Sequence, residues 1–152
     1  MEFSNQAIDQ AAEVVQSFIS VNKAIIKFTQ SNASSLGLTV QQMGVLNWIA
    51  SKPGSTLKAV TEQLGIPKST VSVSIDGLVN LGLVEREQSK ESRREVNLKV
   101  TNKGRGVSQK SIKNASSYKA MASALEKFSK EDVDSLLHMH KSLLSSLKEI
   151  NS

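Results

Sequence analysis

Between Leu57 and Thr101 the hydrophobic period of the chain changes from helical to strand-like, and that change constrains the fold more than any other feature. Leu57, Val60 and Leu64 recur at helical spacing. Gly65-Ile66-Pro67 then interrupts the pattern, because glycine supplies a left-handed helix end and proline biases the residue before it away from helix. A second helical pattern places Val71, Ile75 and Leu78 on one face (i, i+4, i+7) and ends at Leu81-Gly82. The period then falls to two. Leu83 to Glu87 reads as a strand, and Val96, Leu98 and Val100 alternate with Asn97 and Lys99 as a half-buried strand. Between them Gln88-Ser89-Lys90-Glu91-Ser92 is too polar to bury and must project. Two short helices at a tight corner, followed by a projecting two-stranded hairpin, form a helix-turn-helix with a β-wing. Such a unit can set one helix into the major groove of DNA.

The second helix of the corner presents Lys68, Ser69, Ser72, Val73 and Asp76 opposite its apolar face, with Thr70 near its start. This surface is small, polar and nearly uncharged, so it can lie against base edges without filling the groove. Ser72 and Ser74 read equally as groove contacts or as ordinary exposed helix residues. Gly77 inside the helix is unfavourable by roughly 1 kcal/mol relative to Ala, and nothing in the sequence explains it.

The flanking segments are helical. Residues 6–30 carry Ile8, Ala11, Val15, Phe18, Ile25 and Phe28 at three-four spacing, widened by Ala12, Ile19 and Ile26, a stripe broad enough to pack on more than its own small domain. Ser31 to Gly37 reads as a linker. Thr39 and Gln42 form a capping box between Leu38 and Met43 as a staple, so a helix is expected to run from there to about Ser51, closed by Lys52-Pro53-Gly54-Ser55. Thr101-Asn102 opens a long helix bearing Lys103, Arg105, Lys110, Lys113 and Lys119. Ser129 to Asp132 starts a last helix whose Leu136, Leu137, Leu143, Leu144, Leu147 and Ile150 make nearly a leucine seam. The expected fold class is mainly α: residues 39–101 a winged helix-turn-helix DNA-binding domain, residues 1–38 and 102–152 a helical dimerisation region.

Charge supports a nucleic-acid partner. Residues 86–119 hold ten Lys or Arg against three Glu, whereas the remainder of the chain is close to neutral, so the net +5 resides in the wing and the helix behind it. A basic run beside a helix-turn-helix pattern favours duplex DNA over a plain solvated face. There is no cysteine, which excludes disulfides, a thiol switch and a cysteine zinc site. No apolar run approaches the roughly 20 residues needed to cross a bilayer, and Met1-Glu2-Phe3-Ser4-Asn5 lacks the character of a signal peptide. The expected location is the cytoplasm, with no membrane partner.

The order of elements resembles the MarR family of bacterial transcription regulators across essentially the whole chain. The local matches are Leu64-Gly65-Ile66, then Lys68-Ser69-Thr70-Val71-Ser72, then Gly82-Leu83-Val84-Glu85-Arg86, and Arg93-Arg94 followed by Leu98, Thr101 and Gly104. The resemblance implies a homodimer, probing a pseudo-palindromic duplex with two copies of the unit. Lys68, Ser69, Thr70, Ser72 and Val73 would face the major groove, Val73 against a thymine methyl. Arg94 would enter the adjoining minor groove, and Arg93 and Lys90 would sit on phosphates. Two positions depart from the family pattern. Ser92 stands where Asp usually precedes the wing arginine, leaving Glu91 or Glu95 to act as its acidic partner. Val73 stands where many members have Arg.

The resemblance also implies either a redox cysteine, excluded by composition, or a cleft for a small aromatic ligand. Phe28, Met43, Trp48 and Tyr118 are available to wall such a cleft, although each reads more readily as plain core. His138 and His140 lie about 200° apart on a helix and make no chelating pair. No metal, cofactor or catalytic residue is expected, since no cluster has nucleophile or metal spacing and no Gly-rich phosphate loop is present. The leading expectation is a ligand-responsive repressor. The alternative is an architectural or antagonist DNA-binding protein with weak sequence readout and no ligand.

Overall fold

Hydroxyl side chains start most of the helices. In a computed structural model, which describes residues 2–152, the side chains of Ser4, Thr39, Thr56, Thr101 and Ser129 each accept a hydrogen bond from a backbone N–H three residues on. These caps satisfy donors that a helix cannot pair internally. They open α1 (Asn5–Ser35), α2 (Val40–Ser51), α3 (Leu57–Leu64), α5 (Asn102–Lys113) and α7 (Lys130–Ile150). The remaining elements are β1 (Ser55–Thr56), α4 (Lys68–Asn80), β2 (Val84–Gln88), β3 (Val96–Val100) and α6 (Ser116–Leu125). At α2 the capping box is complete, with Gln42 N–H on Thr39 Oγ1 at 3.1 Å and Thr39 N–H on Gln42 Oε1 at 3.0 Å.

The chain divides into two compact units, one ending at Ser117 and one starting at Tyr118. The core of the first is built around α2, whose Val45, Leu46 and Ile49 are fully enclosed. Val60 of α3, Val71, Ile75 and Leu78 of α4, and Leu83, Val84, Leu98 and Val100 of the sheet region close around them. Leu57 and Leu64, expected to bury beside Val60, are only partly buried against that core. β2 and β3 are antiparallel, pairing Val84 with Val100 and Gln88 with Val96. The short β1 adds a third strand, giving the order β1-β3-β2, with Ser55 opposite Leu98. Two residues carry no alternation to read, so this strand left no mark in the sequence pattern.

The structure corrects several expectations. Residues 31–35 are helix, not linker: Asn32 and Ala33 are the only buried residues of α1, and Asn32 Nδ2 donates to Ser111 O at 3.0 Å. A buried tertiary hydrogen bond outweighs the low helix propensity of Ser and Asn there. The long helix expected after Thr101 is two helices, broken at Asn114-Ala115. The buried face of α5 is Gly104, Ser108 and Ser111, with Val107 partly buried against the core, while Ile112 is exposed. The hydroxyls of Ser108 and Ser111 donate to Asn47 Oδ1 at 2.8 and 3.1 Å, so a polar network joins α5 to α2 and, through Asn32, to α1. Val96, expected inward, is exposed because it pairs near the free end of the hairpin.

Gly77 now has a reason: a Cβ there would run into Nε2 of Gln42, the residue that caps α2. In the second unit α6 and α7 contain no buried residue, and the leucines of α7 are exposed. Among the described residues no helix is long and apolar enough to cross a membrane.

Candidate nucleic-acid interface

The corner between α3 and α4 is set by Gly65, in the left-handed region at φ 63°, where an L side chain would be strained. Pro67 then precedes α4 with no side-chain cap, so the N-terminal N–H groups of α4 are free to meet an acceptor from outside. Burial of Val71, Ser74, Ile75 and Leu78 fixes the rotation of the helix. Ser74 therefore belongs to the core and is withdrawn from the groove-facing set. Lys68, Ser69 and Val73 are exposed on the other side, with Thr70 and Ser72 half-buried at its margins. Val73 is 70% exposed.

The wing is shaped by short side chains. Ser89 Oγ accepts from the N–H groups of Glu91 and Ser92 at 3.2 and 3.3 Å, and Ser92 Oγ accepts from Arg94 N–H at 3.3 Å. Gln88 Nε2 donates to Arg93 O at 2.8 Å. Neither Glu91 nor Glu95, the acidic partners expected for the wing arginine, forms an ion pair with the arginines, whereas Lys58 pairs with Glu62 and Arg86 with Asp76. Ser92 holds the backbone of Arg94 instead. Lys68, Lys90, Arg93 and Arg94 are thus exposed cations with no carboxylate partner, and their charge is uncommitted.

Arg86 on β2 and Asp76 on α4 were missed as a pair in the sequence. Nη2 of Arg86 donates to Oδ1 of Asp76, tying the wing strand β2 to α4. Opposite charges ten residues apart across the Gly82 turn were the available signal. The base of the wing is fastened at Thr101, whose Oγ1 donates to Gly82 O at 2.6 Å and whose N–H donates to Leu83 O at 3.1 Å. Lys103 Nζ donates to Leu81 O at 3.1 Å, beyond the end of α4. Gly104 follows because any Cβ would collide with the backbone carbonyl of Leu83.

The residues weighed for a ligand cleft differ widely in exposure. Met43 lies in the core at 8% exposure, Phe28 is exposed on α1, and Tyr118, in the second unit, is 74% exposed. Trp48 packs partly buried against the core, with an indole N–H that finds no acceptor among the described residues. Two surface hollows of about 480 and 440 Å³ lie at the start of α1 and beside the wing, and neither is lined by these four residues.

A helix with a small exposed face, a tight glycine corner and a hairpin with uncommitted arginines define a winged helix-turn-helix DNA-binding unit. The MarR family model matches residues 36–95. The multiple antibiotic-resistance repressor MarR of Listeria monocytogenes is 31% identical, with 95% of this chain and 99% of that chain covered at a TM-score of 0.67. Staphylococcus aureus MarR in complex with salicylate and kanamycin is 20% identical over 92% of this chain and 93% of that one, at 0.80. A mutant MarR from E. coli complexed with operator DNA is 20% identical over 90% and 96%, at 0.78. No curated protein matches the chain in sequence. The chain belongs to the MarR family of DNA-binding transcription regulators.

Proposed function

We propose that the protein is a homodimeric repressor that binds a pseudo-palindromic duplex and is released by a small aromatic ligand. The observation that carries the DNA-binding part is the coexistence of a polar, unobstructed α4 face with Lys90, Arg93 and Arg94 free of any acidic partner. In this reading Lys68, Ser69, Thr70, Ser72 and Val73 meet the major groove. Arg94 enters the minor groove, where a narrow A·T tract favours it. Lys90 and Arg93 neutralise phosphates, which makes affinity fall with salt. Residues 39–101 serve as the DNA-binding domain, and residues 1–38 and 102–152 as the dimerisation region.

Two-fold symmetry places half-sites about 34–36 Å apart or at a multiple of that spacing. Support for the dimer comes separately from α1, which exposes Ile8, Val15, Phe18 and Phe28, and from α7, which exposes Leu137, Leu144 and Leu147. Support for repression comes from the Listeria repressor, and for an aromatic ligand from the salicylate bound to the Staphylococcus protein. A gel shift with DNA upstream of the protein's own gene tests the reading. Sequence-specific retardation at moderate salt, reversed by salicylate-like acids, is expected, and its absence sinks the repressor.

One observation favours a second reading, an architectural or antagonist protein with weak readout: α4 carries no arginine on its exposed face. Equal affinity for operator and random duplex, with a steep salt dependence, would select it.

A further inference from the structure

We propose that Val73 is the specificity-determining residue of α4, and that it selects thymine by its 5-methyl group at one position of each half-site. The inference rests on the DNA-regulator reading and says which chemical feature of the base that surface recognises. Direct readout in the major groove normally depends on side chains matched to a base edge: Arg or Lys bidentate on guanine, Asn or Gln bidentate on adenine, Glu or Asp accepting from the cytosine amino group. The exposed face of α4 provides almost none of these.

Lys68 is the first residue of the helix, a mobile point charge suited to phosphate. Asn80 is the last, about 18 Å along the axis from Lys68 at 1.5 Å per residue, too far toward the C-terminus to share the N-terminal contacts. Asp76 would accept from cytosine, but its carboxylate is engaged by Arg86. Ser69, Thr70 and Ser72 carry hydroxyls, which donate or accept as required and so discriminate poorly.

What remains is the isopropyl group of Val73, 70% exposed and absent from the core. Along the i±4 row of the helix its neighbours are Ser69 and Gly77, a hydroxymethyl and a bare Cα, so Val73 is the crest of that ridge. A crest of this kind reaches the floor of the groove before its neighbours. The apolar feature on that floor is the thymine methyl, and covering one apolar group with the other removes both from water. Burial of a single methyl corresponds to about a fourfold change in affinity, or roughly fifteenfold when both half-sites of a dimer contribute.

The test uses the full-length protein and a duplex recovered from a random pool by repeated selection. Each thymine of that duplex is replaced in turn by deoxyuridine, symmetrically in both half-sites, which deletes the methyl and leaves every hydrogen-bonding edge unchanged. For the wild type, one symmetric pair is expected to weaken binding by about fifteenfold. Val73→Ala, with folding checked by its melting curve, should bind thymine and uracil duplexes alike, near the wild-type affinity for uracil. Where Val73→Ala binds too weakly to titrate, Val73→Thr keeps one methyl in the same shape and should show a reduced thymine-to-uracil ratio.

A wild type indifferent to every such replacement overturns the assignment of Val73 while leaving the regulator reading intact. Undiminished uracil sensitivity in the Val73 variants also overturns it, because another group then reads the methyl. If selection recovers no preferred duplex, both the assignment and the repressor reading fall.

Discussion

At the scale of single residues, the proposed interface consists of groups that are held in place without being neutralised. Arg94 is the clearest case. Ser92 fixes its backbone through a 3.3 Å hydrogen bond, while the guanidinium meets no carboxylate. An aspartate at position 92 would supply the same acceptor but add a negative charge beside the arginine. The serine therefore keeps the shape of the turn without placing a carboxylate beside Arg94. Arg94→Ala should weaken binding to an operator duplex by about 1–3 kcal/mol and leave the oligomeric state unchanged. Titration by fluorescence anisotropy measures the first and sedimentation the second, and an unaltered affinity removes Arg94 from the interface.

Glycines give a second contrast at this scale. Gly104→Ala drives a Cβ into the carbonyl of Leu83, whereas Gly106→Ala, in the same helix, meets nothing within 4 Å. The first should lower stability by about 1–3 kcal/mol as an overpacked contact. The second should raise it by up to about 1 kcal/mol through helix propensity. Urea midpoints with equal m-values would show the opposite signs, and two shifts of the same sign would refute the close approach at Leu83.

At the scale of elements, what could be read in the sequence depended on whether the cause was local. The starts of α2 and α7 were visible because a hydroxyl and its partner N–H lie three residues apart. The corner at Gly65 and the face Val71, Ile75 and Leu78 were visible because period and turn chemistry coincide there. The elements that were misread answer to distant residues. α1 continues to Ser35 because Asn32 bonds a carbonyl 79 positions away, and α5 turns a face of glycine and serines inward because Asn47 accepts both hydroxyls. No hydrophobic periodicity announces such a face. The site divided in the same way: the exposed set on α4 followed from helical geometry, but Arg86 on Asp76 and Ser92 on Arg94 required the wing to be folded. Asn47→Ala tests the α2–α5 joint. It leaves the Ser108 hydroxyl, buried at 3% exposure, without its acceptor, while Ser111 keeps Ser108 O at 2.7 Å. A loss of about 1–3 kcal/mol is expected from thermal or urea unfolding. A variant as stable as the wild type would mean that the joint is held by shape alone.

At the scale of the whole molecule, the distribution of burial is what the proposed dimer has to account for. The core of the first unit is enclosed by α2, α3, α4 and the sheet. The second unit is two helices with no buried residue, and its α7 exposes Leu136, Leu137, Leu143, Leu144, Leu147 and Ile150. A pair of helices that encloses nothing gains too little from apolar burial to offset the entropy of ordering its own chain. Another surface must cover those leucines for the helices to persist. A second copy of the chain is the partner that DNA binding itself favours, since one winged unit covers half of a two-fold site. For the proposed dimer the melting temperature is expected to rise with protein concentration, because dissociation and unfolding are linked by mass action. Replacing Leu143 and Leu147 together by Lys places two charges on the seam and should shift the sedimentation coefficient to that of a monomer at micromolar concentration. The same variant should lose most of its affinity for a two-half-site operator but keep wild-type affinity for an isolated half-site, because the α4 face and the wing are untouched. A double variant that stays dimeric, or that loses half-site binding together with the full site, would show that the α7 leucines are covered by something other than a second copy.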